Sequence, residues 1–184
     1  MSTIRIVAGT GRGPTAMASY DTALADAGVH NYNLVSVSSM IPAGSDIERH
    51  DTASDLGPVG ERLTVVEARA TVEARAGDGA ASVTGSAAAD DVEPADAAVA
   101  TAGLGWSVTE AGRGIFYEAS GVDPASVRET VTAGLAAGRD LREWSFDDEA
   151  IVIETADRIA DENGSGRFVT AIVLAVYGES EPIL

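Results

Sequence analysis

Cysteine and lysine are both missing from this 184-residue chain. Without cysteine there is no disulfide framework, no thiolate metal site and no cysteine nucleophile. Without lysine there is neither the Schiff-base anchor of pyridoxal phosphate enzymes nor the phosphate-reaching lysine of a P-loop. Long apolar runs are missing too: none approaches the roughly 20 residues that span a bilayer as a helix, and the opening MSTIRIVAGTG is not patterned as a secretory signal. The expectation is a soluble, cytoplasmic protein with no membrane partner. Histidine is scarce as well. His30 and His50 are too few and too scattered for a triad or a metal site, so both are assigned to structure and no metal is expected.

Positive charge is in short supply. All twelve basic residues are arginine, set against twenty-nine acidic ones, for a net charge of −17. A surface this negative repels phosphate backbones, and no basic stripe interleaves with aromatics, so nucleic acid is excluded as a partner. Self-repulsion of this size opposes a compact state at low salt. At molar salt the Debye length is about 3 Å and the repulsion is screened. In this respect the chain resembles proteins of salt-accumulating halophilic archaea. A genome that favours arginine codons would explain the missing lysine but not the excess of carboxylates.

What is present is enough to fold. Hydrophobic residues make up 45% of the chain, which suits one domain with a real core. Ile4 to Ala8 predicts a strand ending in Gly9-Thr-Gly-Arg-Gly13, and Pro14 marks a helix start. The glycine run lacks the G-x-G-x-x-G spacing of a dinucleotide loop, and no ribose-binding carboxylate ends the next strand, so a tight turn is expected there. Met17, Tyr20, Leu24 and Ala27 recur at helical spacing up to Gly28. Asn31 to Ser38 predicts a second strand, stopped by Pro42 and Gly44, and residues 45–61 look turn-like. Arg62 to Arg75 alternates, with Val66, Ala68, Ala70 and Val72 on one face and Glu67, Arg69, Thr71 and Glu73 on a half-solvated other.

Residues 77–98, rich in Gly, Ala, Ser and Asp, predict a long acidic surface loop. Strands are expected at Val99 to Ser107 and Gly114 to Glu118. Asp123-Pro124 signals a cap and first turn, followed by a helix with Val127, Val131, Leu135, Gly138 and Leu141 along one stripe. Further strands are expected at Ala150 to Glu154 and Arg167 to Tyr177, joined by a polar helix or loop around residues 156–162. Asn163-Gly-Ser165 fits a glycosylation pattern but is read as a turn. More strands than helices, with the helices kept apart, predict an α+β fold.

The segment most suggestive of chemistry is Asn33-Leu-Val-Ser-Val-Ser-Ser-Met-Ile-Pro42. By residue type alone, a serine pair at a strand end more often caps a turn. It can also do backbone chemistry. The Ser39 hydroxyl can attack the Ser38 carbonyl and turn the peptide into an ester; elimination then leaves dehydroalanine, which hydrolyses to a pyruvoyl group.

This segment is very similar to the cleavage segment of the archaeal pyruvoyl-dependent arginine decarboxylases: an Asn-Leu pair, a short apolar stretch, Ser-Ser, two apolar residues and proline. The opening VAG, the stretch from Tyr20 to Gly28 (YDTALADAG), Gly114 to Glu118 (GIFYE) and Arg142-Glu-Trp144 resemble that family's segments in the same order. Ala43 departs from the family, which often has a second proline there, and residues 77–98 resemble an insertion.

The resemblance implies an αββα sandwich formed by one domain, self-cleaved into residues 1–38 and 39–184. It implies a homotrimer, or a multiple of it, with active sites between subunits. It also implies a pyruvoyl cofactor built from Ser39, with arginine in and agmatine and carbon dioxide out, a reaction of polyamine biosynthesis. Rival readings are the same chemistry on another amino acid, or an uncleaved paralogue acting as a binding or regulatory subunit.

Three further roles come with the resemblance. Asn33, six residues before Ser39 and on the same strand face by period-two counting, would aid processing and hold substrate; taken alone, an asparagine entering a strand is more often a turn former. Glu118, following Ile, Phe and Tyr, would be a partly desolvated proton donor, or else an ordinary strand-edge carboxylate. Asp21 falls on or beside the apolar stripe of the first helix, where a buried carboxylate needs a partner. A guanidinium suits it, and that guanidinium could belong to a protein arginine or to the substrate.

Overall fold

The computed structural model describes residues 2–53, 55–73, 83–85, 99–157 and 167–184. In chain order the elements are β1 (Ser2–Gly13), α1 (Ala16–Asp26), β2 (Asn33–Ser36), β3 (Met40–Ile41), β4 (Ser45–Arg49), β5 (Arg62–Glu73), β6 (Val83–Gly85), β7 (Ala100–Val108), β8 (Gly114–Gly121), α2 (Pro124–Asp140), β9 (Asp148–Ala156) and β10 (Phe168–Tyr177). The strands form two sheets. The larger has the order β2-β5-β10-β1-β4, with β6 also paired to β5; the smaller has the order β3-β8-β7-β9.

Alternation along the strands decides the layering, because side chains of odd and even residues leave opposite faces. Ile4 and Ile6, Val66 to Val72 in steps of two, and Val169 to Ala175 in steps of two leave the large sheet on one face. There they meet Ala102, Leu104, Trp106, Phe116 and Val152 of the small sheet in a shared core. The outer face of the large sheet, with Val7, Leu63, Val65, Ile172 and Leu174, is covered by Ala23, Leu24 and Ala27 of α1. The outer face of the small sheet, with Ile115, Ile151 and Ile153, is covered by Val127, Val131 and Leu135 of α2. The result is the expected α+β fold in four layers, helix on sheet on sheet on helix.

The glycine-rich run is not a turn. Gly9, Gly11 and Gly13 lie inside β1 and pair with Ile172, Thr170 and Phe168. They share the face under α1: a Cβ on Gly9 would stand 2.9 Å from Ala27 N, and one on Gly13 2.6 Å from Ser19 N, both backbone atoms. Absence of side chains lets the helix sit directly on the strand. Gly103 and Gly105 of β7 do the same beneath Val127 and Val131 of α2.

Other expectations shift with the packing. Met17 is exposed rather than part of the buried stripe; the helix turns Ser19, Ala23, Leu24 and Ala27 inward instead. The polar face of β5 is only partly solvated, with Glu67, Arg69 and Glu73 partly exposed. Thr71 is buried and hydrogen-bonded to Thr170 at 2.9 Å, and Arg69 lies 4.5 Å from the centroid of the Tyr20 ring beneath α1.

Residues 45–49 form strand β4, parallel to β1. Leu141 falls just beyond α2 and is exposed. Asp123 does cap α2, its carboxylate accepting from the Ser126 backbone N–H at 2.8 Å. Within the expected acidic loop at 77–98, Val83–Gly85 pairs with β5 as a strand. The remainder of that loop, apart from those three residues, lies outside the described residues, as do most of the 156–162 connection and Asn163-Gly-Ser165.

Candidate active site

The serine pair occupies the place where the chain leaves one sheet for the other. β2 is an edge strand of the large sheet, paired parallel to Arg62–Val65 of β5, and Val37 extends the ladder by donating to the Val65 carbonyl at 3.0 Å. β3 is an edge strand of the small sheet, with Met40 opposite Ile115 and Ile41 opposite Gly114. Ser38 and Ser39 bridge the gap. Ser38 is exposed and Ser39 partly buried.

Four hydrogen bonds fix this crossing. The Ser39 hydroxyl donates to Glu118, 2.9 Å from Oε1 and 2.8 Å from Oε2. The Ser39 carbonyl accepts from the Phe116 N–H at 2.9 Å. The Ser38 carbonyl accepts from the Met40 N–H at 2.7 Å, closing a three-residue turn centred on Ser39. Among the described residues only Asp55 is a non-glycine with positive φ, so this is the unstrained, inverse form of that turn. Finally, the Met40 carbonyl accepts from the Tyr177 hydroxyl at 2.9 Å.

Glu118 reaches the serine because of strand alternation. In β8 the Ile115 side chain faces α2 while Phe116 faces the inter-sheet core, so Glu118, two residues on, projects between the sheets at their open edge. Tyr177 comes from the other wall. It ends β10, packs edge-on against Phe116 with ring centroids 6.2 Å apart, and sends its hydroxyl to Met40. Burial, and then the Glu118 carboxylate, push the Tyr177 pKa up to about 12, so its hydroxyl remains a donor at neutral pH.

Of the residues singled out in the sequence, the fold therefore joins Ser38, Ser39 and Glu118. It does not bring Asn33 to them. β2 ends at Ser36, so the period-two count breaks where the chain changes sheets, and Asn33 stands at the far end of the strand with its amide donating to the Gly60 carbonyl at 2.5 Å. Asp21 is exposed, not buried as the apolar stripe implied, and among the described residues it pairs with no protein arginine.

His50 Nε2 lies 3.0 Å from the Glu48 carboxylate at the surface. Among the described residues no cluster of His, Asp and Glu could hold a metal ion. Tyr177 was not foreseen. It lies 137 residues from Met40 in sequence, and a tyrosine closing an apolar run carries no mark of a distant backbone partner.

The family model described as "Pyruvoyl-dependent arginine decarboxylase (PvlArgDC)" matches residues 3–182. Two curated relatives bear the name "Pyruvoyl-dependent arginine decarboxylase", one from Halobacterium salinarum strain ATCC 29341 / DSM 671 / R1 and one from Halobacterium salinarum strain ATCC 700922 / JCM 11081 / NRC-1. Each is 43% identical over 184 residues, covering 100% of this chain and 98% of the relative. With the match running through every strand and helix and across the Ser38–Ser39 crossing, the chain belongs to the pyruvoyl-dependent arginine decarboxylase family.

Proposed function

We propose that this chain cleaves itself between Ser38 and Ser39 and then converts arginine to agmatine and carbon dioxide, feeding polyamine synthesis. The observation that carries the reading is the Ser39 hydroxyl held by both oxygens of Glu118 beside the Ser38 carbonyl. A hydroxyl beside a positioned carboxylate is an activated nucleophile. Glu118 takes the proton as Oγ adds to the Ser38 carbonyl carbon, and the Met40 N–H supports the oxygen that gains charge. The Ser38–Ser39 C–N bond then breaks to give an ester. Loss of the Cα proton expels the Ser38 carboxylate and leaves dehydroalanine at position 39. Water then replaces the nitrogen, which leaves as ammonia.

The residues fit the cofactor that this produces, since the segment sits at an open edge within reach of solvent and of a carboxylate. Once formed, the pyruvoyl group supplies a sink for the electrons released when carbon dioxide departs. Glu118, freed from the hydroxyl, stands where it can return a proton to the substrate carbon.

Asp21, exposed and without a guanidinium partner among the described residues, is assigned to the guanidinium of arginine, and Asn33 to holding the substrate and aiding processing. Neither meets Ser39 within one chain, so both assignments call for a neighbouring subunit. Val35, Val37 and Met40 are exposed apolar residues around the crossing, a rim suited to subunit contact, and a homotrimer is the assembly proposed. At molar salt the net charge steers little beyond contact, so selection of arginine rests on such a specific partner.

Intact-mass measurement tests the reading. The purified protein should resolve into residues 1–38 and residues 39–184, the latter lighter by one ammonia than its serine-started form. Ser39→Ala should remain whole and inactive, and Glu118→Gln should slow cleavage by about 10²–10⁴-fold, the usual contribution of a positioned base. A folded parent protein that stays whole would favour an uncleaved binding subunit, and an active, uncleaved Ser39→Ala would end the proposal.

A further inference from the structure

Cleavage at Ser38 would cut one of the two covalent links that join β3 to the large sheet, leaving residues 42–44, which lead on into β4, and it would do so beside the reacting group. Residues 1–38 carry β1, α1 and β2, all in or on the large sheet, whereas residue 39 leads into β3 of the small sheet. Of the four hydrogen bonds at the crossing, two do not survive as restraints. The Ser39 hydroxyl that bonds Glu118 is consumed, and the Ser38 carbonyl that Met40 N–H holds becomes part of a free chain end.

Two remain. Phe116 N–H holds the residue-39 carbonyl from within the small sheet. The Tyr177 hydroxyl holds the Met40 carbonyl from the large sheet. Met40 faces Ile115 in β3, and its own N–H and C=O are turned away from β8 toward Ser38 and Tyr177.

From this we infer that Tyr177 is a positioning residue for the mature active site: on the cut side of β3 it takes over from the severed peptide as the tie to the large sheet that keeps residue 39 docked between the sheets, over Glu118. The inference rests on the self-cleavage proposed above. It gives Tyr177 little to do in the precursor, where the intact chain already fixes the crossing, and much to do afterwards. A reacting group displaced by about 1 Å can lose about 100-fold in rate. The aromatic ring is separately held by its edge-on packing with Phe116, so Tyr177→Phe removes the tie and keeps the packing.

The test compares parent and Tyr177→Phe proteins in molar salt. The variant should fold with an unchanged melting temperature and cleave with a half-time within about twofold of the parent. Once fully cleaved, it should show kcat lowered by about tenfold or more. Amide exchange in residues 39–41 should quicken in the cleaved variant but not when Tyr177→Phe is placed in the uncleavable Ser39→Ala protein, a contrast that a merely structural role would not produce.

A cleaved variant with parental kcat would overturn the inference. So would cleavage and turnover falling together, faster exchange in both backgrounds, or failure to fold. These outcomes are distinct from failure of the underlying reading, which would show as a folded parent that never cleaves.

Discussion

Replacing Gly11 with alanine tests the way helix α1 is seated. The added Cβ would overlap the Ser19 carbonyl oxygen and the Ala23 nitrogen and stand 2.8 Å from Thr22 Cβ. Comfortable carbon–carbon contact is about 3.5–4.0 Å, so α1 must lift by about 1 Å along this turn. Two of the three obstacles are helix backbone, which no rotamer change can move aside. Overpacking costs about 1–3 kcal/mol, and the rigid neighbours place this case near 3 kcal/mol. For a chain of this length, each kcal/mol shifts the melting temperature by about 2–4 °C, so a drop of about 6–12 °C is expected.

The assay is thermal unfolding followed by circular dichroism, in molar salt and at matched protein concentration, since assembly would make the midpoint concentration-dependent. α1 also carries Asp21, so a lifted helix should raise KM for arginine. Cleavage should persist, because the Ser39–Glu118 pair lies on other elements. A melting temperature within about 2 °C of the parent would refute the argument that glycine is required for close approach here.

Two further outcomes are expected. Asp21→Asn should leave folding and cleavage intact, because the side chain is exposed and pairs with no arginine among the described residues. It should lower kcat/KM for arginine by about tenfold or more, the worth of a charge-assisted hydrogen bond of about 1.5–3 kcal/mol; steady-state kinetics on the cleaved variant decides, and normal handling of arginine would send the role elsewhere.

Glu154 supplies the pH prediction. Burial holds its pKa above the ordinary carboxylate value; the Thr155 backbone hydrogen bond opposes this, the neighbouring Asp26 carboxylate adds to the rise, and Arg49 opposes it least. The native state therefore binds this proton more tightly than the unfolded chain, so the site's contribution to stability is full at low pH and is lost as pH rises through the raised pKa. Glu154→Gln should remove that loss. The melting temperature of the variant relative to the parent should climb as pH rises from the ordinary carboxylate value toward neutrality, and a constant or shrinking difference would contradict it.

Local chemistry was enough to identify some of this molecule from sequence. Asp123-Pro124 capped its helix because the carboxylate and the ring satisfy the first turn wherever they stand. Val127, Val131 and Leu135 fell on the buried face because helical spacing puts them there. The Ser38–Ser39 segment stood out through its likeness to a known family, and Glu118, whose carboxylate accepts from the Ser39 hydroxyl, came with it.

Tertiary packing decided the rest. Glycines at every second position of β1 look the same in a turn as under a helix, and only the approach of α1 distinguishes the two. Asn33 and Ser39 agree in parity but not in place, because strand counting assumes one strand and the chain changes sheets between them. Helical spacing from Met17 places Asp21 beside the core face; the glycine-lined strand instead draws in Ser19 and Ala23 and leaves Asp21 in solvent. Tyr177 became part of the site because two sheets packed face to face bring the end of β10 beside Met40, a proximity that exists only once the core between them has formed.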